Sequence, residues 1–239
     1  MPDKQTIVAF DLYGTLLSTS SIARQLERHF GPQAQSIAST WRRYQLEYTW
    51  RLNSMGRFEP FSDITRNSLL HALADIGVTL DETHISSVMH AYDNLSTFPD
   101  VSPALERLST AADLTPVVFS NGTQSMVTNS VHRSQDLAPH SAIFQDIVTV
   151  DSVRQYKPAP AVYMHLAERT GKAPSEMGEV WGVSGNPFDV VGARACGMNA
   201  IWIDRGDTGW HDAALPGLRP TAVVRSLEQV VEKIRSHQG

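Results

Sequence analysis

Four short motifs in this chain carry groups that could do covalent chemistry on a small molecule. The first is Phe10-Asp11-Leu12-Tyr13-Gly14-Thr15-Leu16, an acid at the end of an apolar run with a glycine turn directly behind it. A carboxylate so placed can point out of a buried strand and act as a nucleophile. It can equally cap the turn that follows. The second is Ser120-Asn121-Gly122, which also ends an apolar run. Its hydroxyl and backbone N–H groups can hold a carboxylate or phosphate, or simply make an Asn-Gly turn. The third is Lys157-Pro158, with Tyr163 six residues beyond the lysine. It places a cation in a crevice, or leaves a solvated surface lysine. The fourth, Ser184-Gly185-Asn186-Pro187-Phe188-Asp189, offers a cluster of polar groups and a second acid. Its bland reading is a helix N-terminus capped by Ser184 or Asn186. Each bland reading is adequate alone, and only the coincidence of all four favours chemistry.

That coincidence depends on the elements that hold the motifs. Thr6–Phe10, 114–119, 146–150, 179–183 and Asn199–Ile203 are short apolar runs rich in β-branched residues, which predicts five buried strands. Stretches with helical spacing separate the later strands. The alternation predicts an α/β fold with a Rossmann-like parallel sheet covered on both faces. Ligands of such sheets sit beyond the carboxyl ends of the strands, where the four motifs fall. Between residues 18 and 98 nothing reads as a strand. The segments 20–30, 34–55, 61–76 and 81–94 have helical patterning instead. About 80 residues of helix exceed what a crossover needs. The expected division is a core of residues 1–17 and 99–239 with a helical cap of residues 18–98. The tail beyond Glu228 reads as a frayed polar helix end.

Composition narrows the setting. The chain has 239 residues, 41% of them hydrophobic, enough for a substantial core. A net charge of −5 disfavours general binding of nucleic acid. Cys196 stands alone, so no internal disulfide can form and a reducing, cytoplasmic location is expected. Its own expected place is as a small buried apolar residue. The N-terminal residues lack the pattern of a signal peptide, and no apolar stretch reaches the length of a membrane span. The nine histidines show no metal-ligand spacing.

The quartet Asp11, Ser120, Lys157 and Asp189 resembles the haloacid dehalogenase superfamily, whose members include phosphatases, phosphonatases, ATPases and dehalogenases. Within it FDLYGTL, the cap segment WRRYQLEYTW at 41–50, SNG and Tyr156-Lys157-Pro158 are similar to the L-2-haloacid dehalogenases of type II. The resemblance covers essentially the whole chain, and the cap segment is its most specific part. It implies a haloacid dehalogenase-like core with an inserted helical cap and hydrolysis of L-2-haloacids to D-2-hydroxy acids. Asp11 would attack the α-carbon to give an ester and free halide, and water would then cleave the ester. Ser120, with backbone N–H groups after Asp11 such as that of Leu12, would clamp the substrate carboxylate. Arg42, Asn121 and Phe188 would cradle the halide. Lys157 would hold Asp11, and Asp189, with Ser184 and Asn186, would direct the water. Tyr13, Leu46, Phe61 and Tyr163 would line the alkyl pocket or support the site. Arg42 and Leu46, four apart on a helix, share a face. The partners implied are the small-molecule 2-haloacid, water and halide, with no nucleic acid or membrane, and self-association as a homodimer.

Two positions separate this reading from its neighbours. Superfamily phosphatases carry a second acid two residues after the nucleophile to protonate the leaving oxygen. Here that residue is Tyr13, whose phenol has an ordinary pKa of about 10. Those enzymes also place an acid where Ser184 stands, and Mg²⁺ favours carboxylate ligands. No metal and no cofactor are therefore expected. The alternatives are a Mg²⁺-dependent small-molecule phosphatase or phosphonatase, and a non-catalytic binding protein on the same scaffold. Gly185 and Phe188 depart from the resemblance, since such dehalogenases often carry serine and tryptophan there.

Overall fold

The computed structural model describes residues 5–238. Its centre is a six-stranded parallel sheet: β1 (Thr6–Phe10), β2 (Leu114–Ser120), β3 (Ile147–Thr149), β4 (Val180–Ser184), β5 (Asn199–Ile203) and β6 (Ala222–Val224). The order across the sheet is β3-β2-β1-β4-β5-β6. All five residues of β1 are buried, because it pairs with β2 on one side and β4 on the other. The chain runs outward from β1 in both directions, so the strand order reverses there. That is where open α/β sheets leave a crevice at their carboxyl ends.

Nine α-helices accompany the sheet among the described residues. The first four follow β1 in succession: α1 (Ala23–Phe30), α2 (Ala34–Ser54), α3 (Phe61–Asp75) and α4 (Glu82–Tyr92). Five more follow, α5 (Val101–Ser109) directly before β2 and α6 (Gln124–Arg133), α7 (Pro160–Arg169), α8 (Pro187–Ala195) and α9 (Val230–Gln238) after it. In the first group, α2 and α3 pack side by side. Trp41 is 1% exposed, and its indole N–H donates to the Thr65 carbonyl at 2.7 Å, so a large apolar side chain is buried without stranding its polar atom. The two connections to this group run together. Leu17 bridges Thr97 in antiparallel sense, Ser18 N–H donates to Ser96 at 2.8 Å, and Phe98 N–H donates to Leu16 at 3.2 Å.

Two expectations need correction. The tail does not fray after Glu228. Residues Leu227–Gln229 form a short 3₁₀ turn, and α9 follows with Val230 and Ile234 fully buried four residues apart. Cys196 is half-buried rather than fully inside, because it follows the last turn of α8. No helix among the described residues is long and apolar enough to cross a membrane.

Candidate active site

Asp11 stands one residue past β1, with its N–H donating to Val183 of β4 at 3.0 Å. The turn behind it is closed by the carbonyl of Leu12, which accepts from the N–H groups of Thr15, Leu16 and Leu17. The carboxylate is therefore not consumed in capping and points across the strand ends. Gly14 makes the turn possible with a φ of +90°, and a side chain there would also press on Asn186.

The two oxygens of Asp11 have different surroundings. Oδ2 accepts from Thr15 Oγ1 at 2.7 Å, from Asn186 Nδ2 at 2.7 Å and from Ser184 Oγ at 3.3 Å. Among the described residues Oδ1 meets only the Lys157 ammonium, at 3.3 Å. Lys157 is 1% exposed and uses all three of its donors. Besides Asp11, they reach Asp189 Oδ2 at 2.9 Å and the Phe119 carbonyl at 2.8 Å, with the Phe119 ring 3.9 Å away. A buried ammonium is tolerated only when paired and hydrogen-bonded in this way.

Asp189, in the first turn of α8, accepts from Tyr163 Oη at 2.9 Å through its other oxygen. Burial raises its carboxyl above the ordinary carboxylate range. Lys157 opposes that rise, the neighbouring Asp11 adds to it, and the Tyr163 hydroxyl again opposes it. Tyr163 is itself fully buried, so its hydroxyl supports Asp189 rather than lining a pocket. Ser184 Oγ accepts from the Asn186 N–H at 3.1 Å. Asn186 occupies the position before α8, yet its side chain makes no cap bond and turns to Asp11 and the Tyr13 carbonyl.

On the β2 side, Ser120 is fully buried and its Oγ accepts from Gly122 N–H at 3.1 Å. Asn121 Oδ1 accepts from the Lys157 N–H at 2.9 Å, which leaves its amide nitrogen without a partner among the described residues. The backbone N–H groups of Leu12, Tyr13 and Asn121 are also without hydrogen-bond partners among the described residues. Leu12 can contribute only through this backbone group, because its side chain is wholly in the core. Together these groups form a set of donors beside the carboxylate, suited to an anion.

Arg42 reaches the same place from α2. Its guanidinium donates to the Tyr13 carbonyl at 3.2 Å, to Asn186 Oδ1 at 3.5 Å and to Gln45 Oε1 at 2.7 Å. Tyr13 is buried and stacks on Phe61 with centroids 5.8 Å apart. Burial pushes its phenol well above its ordinary pKa, with Tyr92 adding to the rise. Phe188 meets Trp50 of α2 edge to face at 5.4 Å. Leu46, one turn after Arg42, is half-buried and lies outside the main hydrophobic cluster.

Three contributors escaped the sequence reading. Thr15 donates to the Asp11 carboxylate, and its spacing of four from Asp11 was the only available hint. Gln45 is fully buried and fixes Arg42 while donating to Thr65 at 2.8 Å and accepting from Tyr92 at 3.1 Å. Arg205 donates to the Thr15 carbonyl at 2.9 Å, which holds the turn from behind. Gly185 also gains a reason. A Cβ there would lie 2.5 Å from the Gly14 carbonyl oxygen, so the β4 loop approaches the β1 turn too closely for serine.

Comparison with known proteins identifies the family. The sequence model of the haloacid dehalogenase-like hydrolases matches residues 6–197. An (S)-2-haloacid dehalogenase, H-109, of Pseudomonas putida is 33% identical over 93% of this chain and 95% of its own length. Haloacetate dehalogenase H-2 of a Moraxella strain is 33% identical over 95% of this chain and 96% of its own. The structure of L-2-haloacid dehalogenase from Xanthobacter autotrophicus, with chloropropionic acid covalently bound, superposes with a TM-score of 0.85. The identity is 29%, covering 97% of this chain and 98% of that one.

Proposed function

The chain belongs to the haloacid dehalogenase-like hydrolase family, and on that premise we propose that it hydrolyses the carbon–halogen bond of L-2-haloacids through an ester on Asp11. The observation that carries this reading is the unequal bonding of the Asp11 carboxylate. Oδ2 is held by three donors, whereas Oδ1 has one long contact to Lys157. Oδ1 is the oxygen free to attack. Its lone pair forms the new C–O bond at the α-carbon, and the carbon–halogen bond breaks with its electron pair leaving on halide. Displacement from the back inverts the centre, so an L-haloacid gives a D-2-hydroxy acid.

The second step uses the other oxygen. In the ester, Oδ2 becomes the carbonyl oxygen, and negative charge develops on it when water adds to the Asp11 side-chain carbon. Thr15, Asn186 and Ser184 already aim donors there, which is preorganised stabilisation of an oxyanion. Asp189, oriented by Lys157 and Tyr163, takes the proton from water; the adduct then breaks the bond between Oδ1 and the Asp11 side-chain carbon, and the proton passes to Oδ1, which leaves as the product hydroxyl. The unpartnered N–H groups of Leu12, Tyr13 and Asn121, with Ser120, bind the substrate carboxylate. Arg42, the Asn121 amide and Phe188 receive the halide, and a guanidinium suits that role because it is always charged and weakly hydrated. Leu46 and Phe61 bound the alkyl group. Halide needs no protonation to leave, so Tyr13 at the position of a general acid costs nothing. Lys157 supplies the fixed cation between the two acids without a metal.

Residues 18–98 act as a cap over a core of 1–17 and 99–239, and a cytoplasmic location fits the lone cysteine. The test is halide release from L- and D-2-chloropropionate in the presence of EDTA. Release from the L form alone, undiminished by EDTA, is expected, and Asp11→Asn should abolish it. Metal-dependent release of phosphate from p-nitrophenyl phosphate, with no halide from either enantiomer, would replace this reading with the phosphatase one. Neither activity would favour a binding protein.

A further inference from the structure

Helix α2 meets the core through Arg42, Trp50 and Asn53, and the last of these contacts lies outside the halide cradle. Asn53, in its last turn, lies eleven residues after Arg42, which is three turns to within about 20° and roughly 16 Å along the axis. The two side chains therefore leave the same face. Asn53 makes a reciprocal pair with the backbone of Tyr156: its Nδ2 donates to the Tyr156 carbonyl at 2.7 Å, and the Tyr156 N–H donates to its Oδ1 at 2.9 Å. Tyr156 is fully buried. Its ring stacks on Phe58 with centroids 5.2 Å apart, and its hydroxyl donates to the Glu59 carbonyl. Arg154, two residues before, sits 4.8 Å from the same Phe58 ring. The segment between α2 and α3 thus grips residues 154–156. The next residue is Lys157, whose N–H goes to Asn121 and whose ammonium joins Asp11 to Asp189.

We propose that Asn53 is a positioning residue that couples closure of the helical region to the placement of Lys157 between the two acids. The proposal rests on the dehalogenase reading for its effect on turnover, but the latch itself is measured separately. One helix then presents the halide-binding arginine and fixes the lysine loop. When α2 withdraws, both the halide site and the cation of the nucleophile lose their register together.

The test uses Asn53→Leu and Asn53→Ala in the full chain. Both residues are good helix formers and Asn53 is only half-buried, so folding is not at risk. Residue-resolved amide exchange reads the latch, and kcat and KM for L-2-chloropropionate read its consequence. The expected result is exchange at Tyr156 and also at Lys157 accelerated on the order of tenfold, as loss of two hydrogen bonds implies. With it, kcat should fall about tenfold while KM changes little. Faster exchange at Tyr156 with Lys157 and kcat unaltered would overturn the proposal, leaving a local contact only. Unchanged exchange at both would also overturn it. If the unaltered enzyme released no halide, the dehalogenase reading would fail. Accelerated exchange reaching Lys157 would still support the latch.

Discussion

At the scale of single residues, the chemistry turns on how each acid is kept in its working form. Asp11 is held in place by the Lys157 ammonium and three hydrogen-bond donors. Asp189 is more finely balanced, since burial raises its carboxyl while Lys157 and the Tyr163 hydroxyl oppose the rise. A base must be deprotonated, so kcat should fall on the acid side as Asp189 takes up a proton. Tyr163→Phe removes a donor that favours the anion, and the carboxyl then rises further. The acid limb of the kcat profile should move to higher pH by roughly one unit, the worth of one hydrogen bond to a charged group. A limb that stayed put, or moved to lower pH, would show that Asp189 does not govern this step. The residue types of Asp11, Lys157 and Asp189 made them visible in the sequence, because a charged group after an apolar run demands an explanation. Thr15 and Gln45 were not visible. A threonine in a turn and a glutamine on a helix have common uses, and only their partners in space distinguish these two.

At the scale of elements, α2 shows why its pattern was hard to interpret. Besides an exposed face that carries Ser39, Arg43 and Ser54, it packs on two sides. Trp41, Gln45 and Thr49 are buried, with Trp41 and Gln45 bonded to Thr65 of α3, while Arg42, Trp50 and Asn53 reach the core. The helix itself was evident from the periodicity, but the job of its second face was not. The strand β6 was missed because it has only three residues and a long irregular connection after β5. The helix α9 was underrated because two buried residues, Val230 and Ile234, anchor an otherwise polar segment. Contact between α7 and α8 offers a direct test. A Cβ on Gly192 would lie 2.7 Å from Pro158 Cβ and strike the Tyr163 hydroxyl. Gly192→Ala should therefore cost about 1–3 kcal/mol in denaturant unfolding, the usual range for overpacking. It should also depress turnover by displacing the Tyr163–Asp189 pair. An unaltered midpoint and rate would show that the helices separate freely.

At the scale of the whole molecule, one parallel sheet carries Asp11, Ser120 and Ser184 at its strand ends, and helix α2 brings Arg42 to them. Alternation of strand and helix was enough to foresee the sheet and the side on which the site lies. The long strand-free stretch was enough to foresee the helices α1 to α4. What sequence could not convey is how tightly the two parts meet, through Arg42 on Tyr13 and Asn186, Trp50 on Phe188 and Asn53 on Tyr156. These are contacts between segments far apart in the chain, and they follow from the geometry of the two linkers and not from local pattern. Gly185 belongs to this scale as well, since its missing side chain lets the β4 loop close on the β1 turn.

The central claim is that Asp11 becomes covalently bound to substrate and is regenerated by water. With enzyme in excess over L-2-chloropropionate in H₂¹⁸O, the product hydroxyl should come from Asp11 and remain unlabelled. One ¹⁸O atom should appear in the peptide that contains Asp11, detected by mass spectrometry. Label in the hydroxyl of the product and none in that peptide would mean that water attacks the substrate directly, and the covalent account would be wrong.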